Sequence, residues 1–388
     1  MIGGTYFVGK SFLSNIIDKY NNEDAYKDSG LTDEDTGEYP ADDSEAKQSV
    51  QSAQTKRIAQ QEKSAQPVLE LTVLNRGTRS LSYVLGAQYV QALETGRVRF
   101  RELYCDRTDA KAVRKAIQEA NAASCDNELG TASHDDEPGT ASYDAVVDFC
   151  AYNPGDIANV FNALDTPPKQ YMFLSTCDVY ERGTGKVADE SAPFESRRFP
   201  GEAGAYISGK VALEGELEKL CQKAGTAKTV FRPSVIFGEG NYAPREGMYF
   251  KWISEAGQIL HPADATGSFQ LTYVDDVAGA LIGCLLNETA YGKAYNLIGT
   301  KPLTYDDLAD ILERATGRRI ERIMMTADEI NARGIPLPFP LFAEESEVYT
   351  GGLIKETGFD YTEVIKAMRR TWETWLGQQA AVSDKSKS

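Results

Sequence analysis

Tyr206 and Lys210 stand four residues apart in the run Tyr206-Ile207-Ser208-Gly209-Lys210, and Leu213 and Leu217 continue the same stripe. On a helix this spacing turns all four toward one face, the apolar one that packs inward. An ammonium beside a phenol stabilises the phenolate and draws the tyrosine pKa toward working pH, which is what a proton-transferring tyrosine needs. The same spacing also arises on ordinary helix surfaces, so its meaning depends on what else the chain provides.

Other chemistries have little material. Only two histidines occur, His134 in an acidic stretch and His261 in a Pro/Gly/Asp-containing loop, which argues against histidine metal clusters and most Ser-His-Asp catalysis. Cys105, Cys125, Cys150, Cys177, Cys221 and Cys284 form no C-x-x-C pair and read as reduced thiols. Cys177 reads as a packed small residue rather than a nucleophile. No metal site is expected. Across 388 residues, 41 basic against 58 acidic side chains leave a net charge of −17, which argues against nucleic acid as a general partner. A mean hydropathy of −0.40 suits a soluble globular chain. The absence of a long apolar run or a secretory leader gives a cytoplasmic expectation with no membrane partner.

The elements that must position the pair alternate between β-branched runs and helical stretches, the order of a parallel sheet covered by helices on both faces. Expected strands are Leu69–Leu74, Arg99–Cys105, Ala145–Phe149, Gln170–Ser175, Thr229–Phe237 and Lys293–Ile298. Expected helices are Lys10–Asp18, Ala110–Ala120, Pro154–Ala163, Ala205–Gln222 and Tyr361–Leu376. Two segments look inserted. Residues 21–66 are polar, with ten acids and two bases between Asn21 and Lys47, and residues 121–142 repeat Gly-Thr-Ala-Ser at 130–133 and 139–142. Without them about 320 residues remain, enough for one large two-lobed unit.

The chain opens Met1-Ile2-Gly3-Gly4-Thr5-Tyr6-Phe7-Val8-Gly9, followed by an amphipathic run with Phe12, Leu13, Ile16 and Ile17. Glycine at a strand-to-helix turn admits a pyrophosphate close to the backbone, and the helix N-terminus offers it unpaired N–H groups. Gly3 and Gly9 take the first and third positions of a G-x-x-G-x-x-G turn, with Tyr6 in the middle one.

This opening resembles the G-G-T-x-F-x-G variant of atypical extended short-chain dehydrogenases/reductases, the NAD-dependent epimerase/dehydratase group. Further matches follow in order: Val73-Leu74-Asn75-Arg76-Gly77, Cys105-Asp106-Arg107, Asp148-Phe149-Cys150-Ala151-Tyr152, Phe173-Leu174-Ser175-Thr176, the Tyr206/Lys210 segment, Arg232-Pro233-Ser234-Val235-Ile236-Phe237-Gly238 and Tyr273-Val274-Asp275-Asp276-Val277. The resemblance implies an α/β, Rossmann-type doubly wound sheet. It divides the chain into a dinucleotide-binding domain over 1–231, a smaller substrate lobe over 232–378 whose strands near 232–237 and 293–298 return to the sheet, and a frayed tail over 379–388. One departure is physical: only Met1 and Ile2 precede the glycines, where a central strand needs about five residues. The expectation is that the recorded start is wrong or truncated, which translation of the upstream nucleotide sequence tests.

By the same resemblance, a dinucleotide lies along Gly3, Gly4, Thr5, Tyr6, Phe7, Val8, Gly9, Asn75, Arg76, Asp106, Arg107, Cys150, Ala151, Ser175, Lys210, Arg232 and Ser234, with Asp106 and Arg107 flanking the adenine. The tip Asn75-Arg76-Gly77-Thr78-Arg79 carries no carboxylate for a ribose hydroxyl and two cations for a 2′-phosphate, which favours NADP over NAD. Thr176 takes the hydroxyl position that holds the substrate oxygen, with Ser175 second. Tyr206 moves the hydroxyl proton and Lys210 tunes the tyrosine and holds the nicotinamide ribose. Members that remove water from nucleotide sugars carry Thr-Asp-Glu where this chain has Thr176-Cys177-Asp178, and a thiol is a poor substitute for the first acid. Tyr152, Asn241, Arg245 and Tyr273 are expected around a small-molecule substrate, and Asp275-Asp276 in a structural role. The implied function is an NAD(P)-dependent oxidoreductase or epimerase acting on a hydroxyl or keto group, with nucleotide sugars as the leading substrate class and a homodimer as the expected assembly. The alternatives are a simple ketone or aldehyde reductase and a non-catalytic nucleotide-binding regulatory or RNA-associated protein, since chloroplast RNA-binding relatives share the glycine opening.

Overall fold

The computed structural model describes residues 1–3, 7–21, 69–125, 142–184, 186–243, 245–346 and 348–385. Gly4, Thr5 and Tyr6 and most of both inserted segments lie outside the described residues.

Six strands form one parallel sheet. They are β1 (Leu69–Asn75), β2 (Val98–Tyr104), β3 (Ala145–Asp148), β4 (Gln170–Leu174), β5 (Ala227–Pro233) and β9 (Ala294–Leu297). β1 pairs with β2, and β3, β4, β5 and β9 follow one another side by side. Residues 1–3 join the two groups. Ile2 bridges to Leu74 and to Asp148, its N–H donating to the Val147 carbonyl at 2.8 Å and its carbonyl accepting from Phe149 N at 3.0 Å. The Met1 ammonium donates to the Thr72 carbonyl at 2.8 Å, and burial draws it down from 8.0 to about 6 although Asp148 pulls the other way.

Apolar side chains alternate across these strands, so the sheet buries both faces. Met172 and Phe231 face α1 (Phe7–Asn21) and α8 (Val274–Cys284), in one core with Phe12, Ile16, Val277 and Leu281. Tyr171, Phe173 and Val230 face the other way, against Val113, Ile157, Leu213 and Leu217. These come from α4 (Ala110–Cys125), α5 (Asp156–Phe161) and α6 (Gly201–Ala224). Between β1 and β2 lie α2 (Leu81–Leu85) and α3 (Ala87–Thr95). Helices on both faces of a parallel sheet are what the alternating pattern predicts, and the arrangement is the Rossmann-type α/β fold that the resemblance implies.

The expected strand 229–237 is two strands. β5 stays in the main sheet, whereas β6 (Val235–Phe237) leaves it to pair with β8 (Leu271–Tyr273). Pro233 has no N–H to donate, and beyond it Ser234 donates to the Leu297 carbonyl while Val235 donates to that of Gln270, so the ladder changes partner there. The remaining elements are α7 (Glu246–Ala256), β7 (Gln258–Pro262), α9 (Tyr305–Thr316), β10 (Glu321–Met325), α10 (Ala327–Ala332) and α11 (Val364–Lys385). The tail expected to fray over 379–388 is helical through Lys385. Gly377 does not stop α11, since a single helix-interior glycine costs only about 1 kcal/mol relative to alanine. Among the described residues no helix is long and apolar enough to cross a membrane.

Candidate active site

A cavity of about 1070 Å³ opens where the sheet's C-terminal ends meet the N-terminus of α1. Its first wall is Gly3, Phe7, Val8 and Gly9. Gly3 has a φ of +81°, and a Cβ there would come within 2.7 Å of Cys150 Sγ, so backbone curvature and close packing both require glycine. The first turn of α1 carries no acidic side chain that would repel an anion at its N–H groups.

The strand ends supply the second wall. Asn75 ends β1, Arg76 and Thr78 follow it, and Asp106 follows β2. The Asn75 carboxamide oxygen accepts from Gly77 N at 2.6 Å and shapes that turn, while its buried Nδ2 has no partner among the described residues. Cys150, Tyr152 and Asn153 follow β3, and Asp156 holds the latter two by accepting from Tyr152 N at 2.9 Å and Asn153 N at 3.0 Å.

The third wall carries the hydroxyl, phenol and ammonium groups expected to react. Ser175, Thr176 and Asp178 lie past the end of β4, and Tyr206 and Lys210 come from α6. Lys210 is buried and donates to the Leu174 carbonyl at 2.8 Å. Its Nζ lies 4.7 Å from the Phe173 ring centre, 4.8 Å from that of Tyr152 and 5.8 Å from that of Tyr206. Tyr206 hydrogen-bonds Thr176, whose hydroxyl also accepts from Asp178 N at 3.2 Å. Neither member of the pair turns to solvent.

The expected acidic phenol is not what the protein builds. Burial pushes Tyr206 well above its ordinary value, the Asp178 charge adds to this, and the Thr176 hydrogen bond only partly offsets it. The bond that Lys210 makes is to the Leu174 carbonyl, and burial keeps the phenolic proton on Tyr206. Lys210 itself falls from 10.5 to about 8 through burial, with Asp148 pulling it partly back. Between those two values the unfolded chain keeps a proton that the folded chain releases, so stability rises with pH across the window and is fully present only above it. Urea midpoints at about pH 8 and about pH 10 check this: wild type should gain on Lys210→Met over that interval, and a constant difference would remove the assignment.

Several expected ligand residues have other work. Arg107 lines the cavity, where its guanidinium grips Asp148 through two bonds of 2.6 and 2.8 Å and donates to the Asp156 carbonyl at 2.8 Å, so its charge serves the interior as well as the wall. Arg232 does not line the cavity; it is buried behind it against Glu214 and Tyr180. Ala151 is wholly buried in the core, outside the lining. Tyr273 is likewise buried away from the lining and donates to Glu239 at 2.9 Å and Asp275 at 3.2 Å. In each case satisfying a buried polar group, or filling the core, outweighs presenting the side chain to a ligand. Ser234 does line the cavity, sharing a hydrogen bond with Thr272 at 2.8 Å. Asn241 and Arg245 also line it, Asn241 held by Glu246 through bonds of 2.9 and 3.0 Å and Arg245 bonded to the Ile236 carbonyl at 3.2 Å. Asp276 accepts from Thr362 N at 3.0 Å and its hydroxyl at 2.6 Å, a link between α8 and the segment before α11. Cys177 is buried, its thiol on the Arg232 carbonyl.

Sequence reasoning missed Tyr242, Pro338 and Tyr349 in the lining. Tyr242 lies between two residues already singled out and meets the Phe7 ring edge-on at 6.3 Å. Pro338 and Tyr349 come from the irregular last third, where no local signal marks them.

The sequence model of the NAD dependent epimerase/dehydratase family matches residues 55–297, more than half of the chain. The chain belongs to that family. The cavity just described lies at the crevice outside the carboxyl ends of the strands, where open α/β sheets bind ligands. The chloroplast stem-loop binding protein of 41 kDa b from Arabidopsis thaliana is 31% identical to it over 157 residues, 40% of this chain and 38% of that protein. Agroclavine dehydrogenase from Claviceps fusiformis is 33% identical over 116 residues, 29% of this chain and 39% of that one. This epimerase/dehydratase chain thus spans about two fifths of the length of these curated relatives. The dTDP-glucose 4,6-dehydratase DesIV from Streptomyces venezuelae, solved with NAD bound, superposes with a TM-score of 0.60 at 15% identity, covering 98% of this chain and 97% of that one. At that identity the likeness shows the shared fold.

Proposed function

We propose that this epimerase/dehydratase family member is an NAD(P)-dependent oxidoreductase or epimerase that acts on a hydroxyl or keto group, with a nucleotide sugar as its substrate class. The observation that carries this is the gathering of Tyr206, Lys210 and Thr176 on one wall of a cavity whose other end is the Gly3 turn and the N-terminus of α1. The residues present fit a dinucleotide: a Gly3 turn that brings backbone to the cavity at the N-terminus of α1, a buried Asn75 amide with no partner among the described residues, and a buried lysine at the far end. When bound, the nicotinamide supplies the hydride donor or acceptor. Thr176 orients the substrate oxygen, and Tyr206 gives its phenolic proton to that oxygen as a carbonyl is reduced, or takes it back on oxidation. A phenol kept protonated by burial suits the reductive direction first. Arg245, at the start of α7, is placed to meet a substrate phosphate.

NADP is the favoured dinucleotide. Arg76 and Thr78 line the cavity after β1, and the turn Asn75–Arg79 carries no carboxylate. Arg76→Ala is expected to weaken NADPH binding about tenfold or more while changing NADH binding little, as loss of one charge-assisted phosphate contact should. Fluorescence titration with both cofactors checks it, and equal losses would assign Arg76 to the surface. The match to a stem-loop binding protein favours a second, RNA-associated reading, against which stand the net charge of −17 and the intact Tyr206/Lys210 wall. A panel of sugar nucleotides and simple ketones separates them. Cofactor recycled without net oxidation indicates epimerisation, stoichiometric NADPH consumption indicates reduction, and binding without turnover on any substrate favours the non-catalytic reading.

A further inference from the structure

The stripe of α6 that carries Tyr206 and Lys210 continues one turn further to Glu214, a buried carboxylate with no part in the proton transfer. The three residues engage three consecutive positions at the end of β4: Tyr206 meets Thr176, Lys210 meets the Leu174 carbonyl at 2.8 Å, and Glu214 accepts from the Ser175 hydroxyl at 2.7 Å. The same carboxylate takes a fork from Arg232, at 3.0 Å from Nε and 2.6 Å from Nη2. Burial alone would lower the Arg232 pKa, and its hydrogen bond to the Glu214 carboxylate more than reverses this, so the guanidinium is held charged.

From Arg232 the network runs on. Nη1 donates to the Tyr180 hydroxyl at 2.7 Å, Tyr180 donates to Asn296 Oδ1 at 2.6 Å, and Asn296 Nδ2 donates to the Thr350 carbonyl at 2.8 Å. Thr350 follows Tyr349, which lines the cavity from the C-terminal segment as Ser175 lines it from β4. A buried ion pair adds little stability over an apolar pair of the same volume, so stability gives a weak account of one placed directly behind the cleft.

We propose that Glu214 and Arg232 are positioning residues, a buried relay that sets the Ser175 hydroxyl and the 174–176 backbone against the nicotinamide end of the cleft and ties that edge to the Tyr349 wall. The proposal rests on the dinucleotide reading above. It replaces the expected contact between Arg232 and the cofactor with an action through Ser175.

The test uses the full chain with NADPH and NADH as probes of the nicotinamide end and ADP as a probe of the adenine end. Ser175→Ala cuts the near link and Asn296→Ala the far one, and both leave the Glu214–Arg232 pair in place, so the fold is kept. Each is expected to weaken binding of the preferred reduced dinucleotide about fivefold, the worth of one hydrogen bond, and to shift its nicotinamide emission, with ADP affinity unchanged. Wild-type behaviour in both variants overturns the relay and leaves the dinucleotide reading standing. An effect of Ser175→Ala alone reduces Ser175 to a direct contact and also overturns it, as does an equal loss of ADP affinity, which marks general loosening. Failure of the wild type to bind either reduced dinucleotide overturns the dinucleotide reading, and the relay with it.

Discussion

Tyr206→Phe is expected to lower turnover by about 10²–10⁴-fold while leaving cofactor affinity within about twofold. The substitution removes one hydroxyl and keeps the ring that packs beside Tyr152 at 6.2 Å. Lys210 keeps its bond to the Leu174 carbonyl, and Thr176 still accepts from Asp178 N, so the cofactor wall is unchanged. What is lost is the proton that burial holds on the phenol through the neutral range. Steady-state turnover on the substrate identified by the panel, together with cofactor fluorescence titration, checks both halves. Activity that survives the substitution would remove Tyr206 from the chemistry, and a parallel loss of affinity would make it a packing residue.

Asp148→Ala is expected to destabilise the fold by about 3–5 kcal/mol, a large fraction of the 5–15 kcal/mol typical of a domain. Asp148 is fully buried and receives both Arg107 Nη groups, the Tyr171 hydroxyl at 2.8 Å and the Cys150 N–H at 3.1 Å. Burial pushes its pKa up, but those four donors more than compensate and hold it ionised. Removing it strips the buried guanidinium of its two-bond partner and leaves the Asp156 carboxylate, 3.9 Å from Nε, as the nearby counter-charge, at the base of the cleft beside Cys150. Urea unfolding of the single variant and of Arg107→Met/Asp148→Leu separates the causes. The double variant should recover part of the loss, since it removes the stranded charge and leaves only the Tyr171 and Cys150 donors unpaired. Equal losses in the two would show that the charge is not what matters.

The fold and the chemical end were legible in local pattern. β-branched runs alternating with amphipathic stretches specify a parallel sheet with helices on both faces, and the i, i+4 spacing places Tyr206 and Lys210 on one side of α6 whatever surrounds them. The glycine opening likewise marked the turn that Gly3 makes. What pattern could not disclose is which polar side chains remain available once the interior is satisfied. Arg107 and Arg232 carry the same guanidinium as Arg76, yet the first is gripped by Asp148 at the cavity wall and the second is held by Glu214 behind it, whereas Arg76 lines the cavity with no such carboxylate fork. The direction of the Tyr206 shift was misread for the same reason: spacing supplies a neighbouring ammonium, but burial, together with Asp178, outweighs it.

The sequence by itself determined the periodicities, and through them the layers of the sheet and the face on which the reactive pair sits, because backbone geometry acts over a few residues. Only the tertiary structure decided partnership and exposure: that β5 and β6 part at Pro233, that Pro338 and Tyr349 close the cavity, and that a carboxylate stands behind Ser175. Those outcomes depend on groups far apart in the chain competing for the same buried space, where a charge or hydroxyl must find a partner or be excluded.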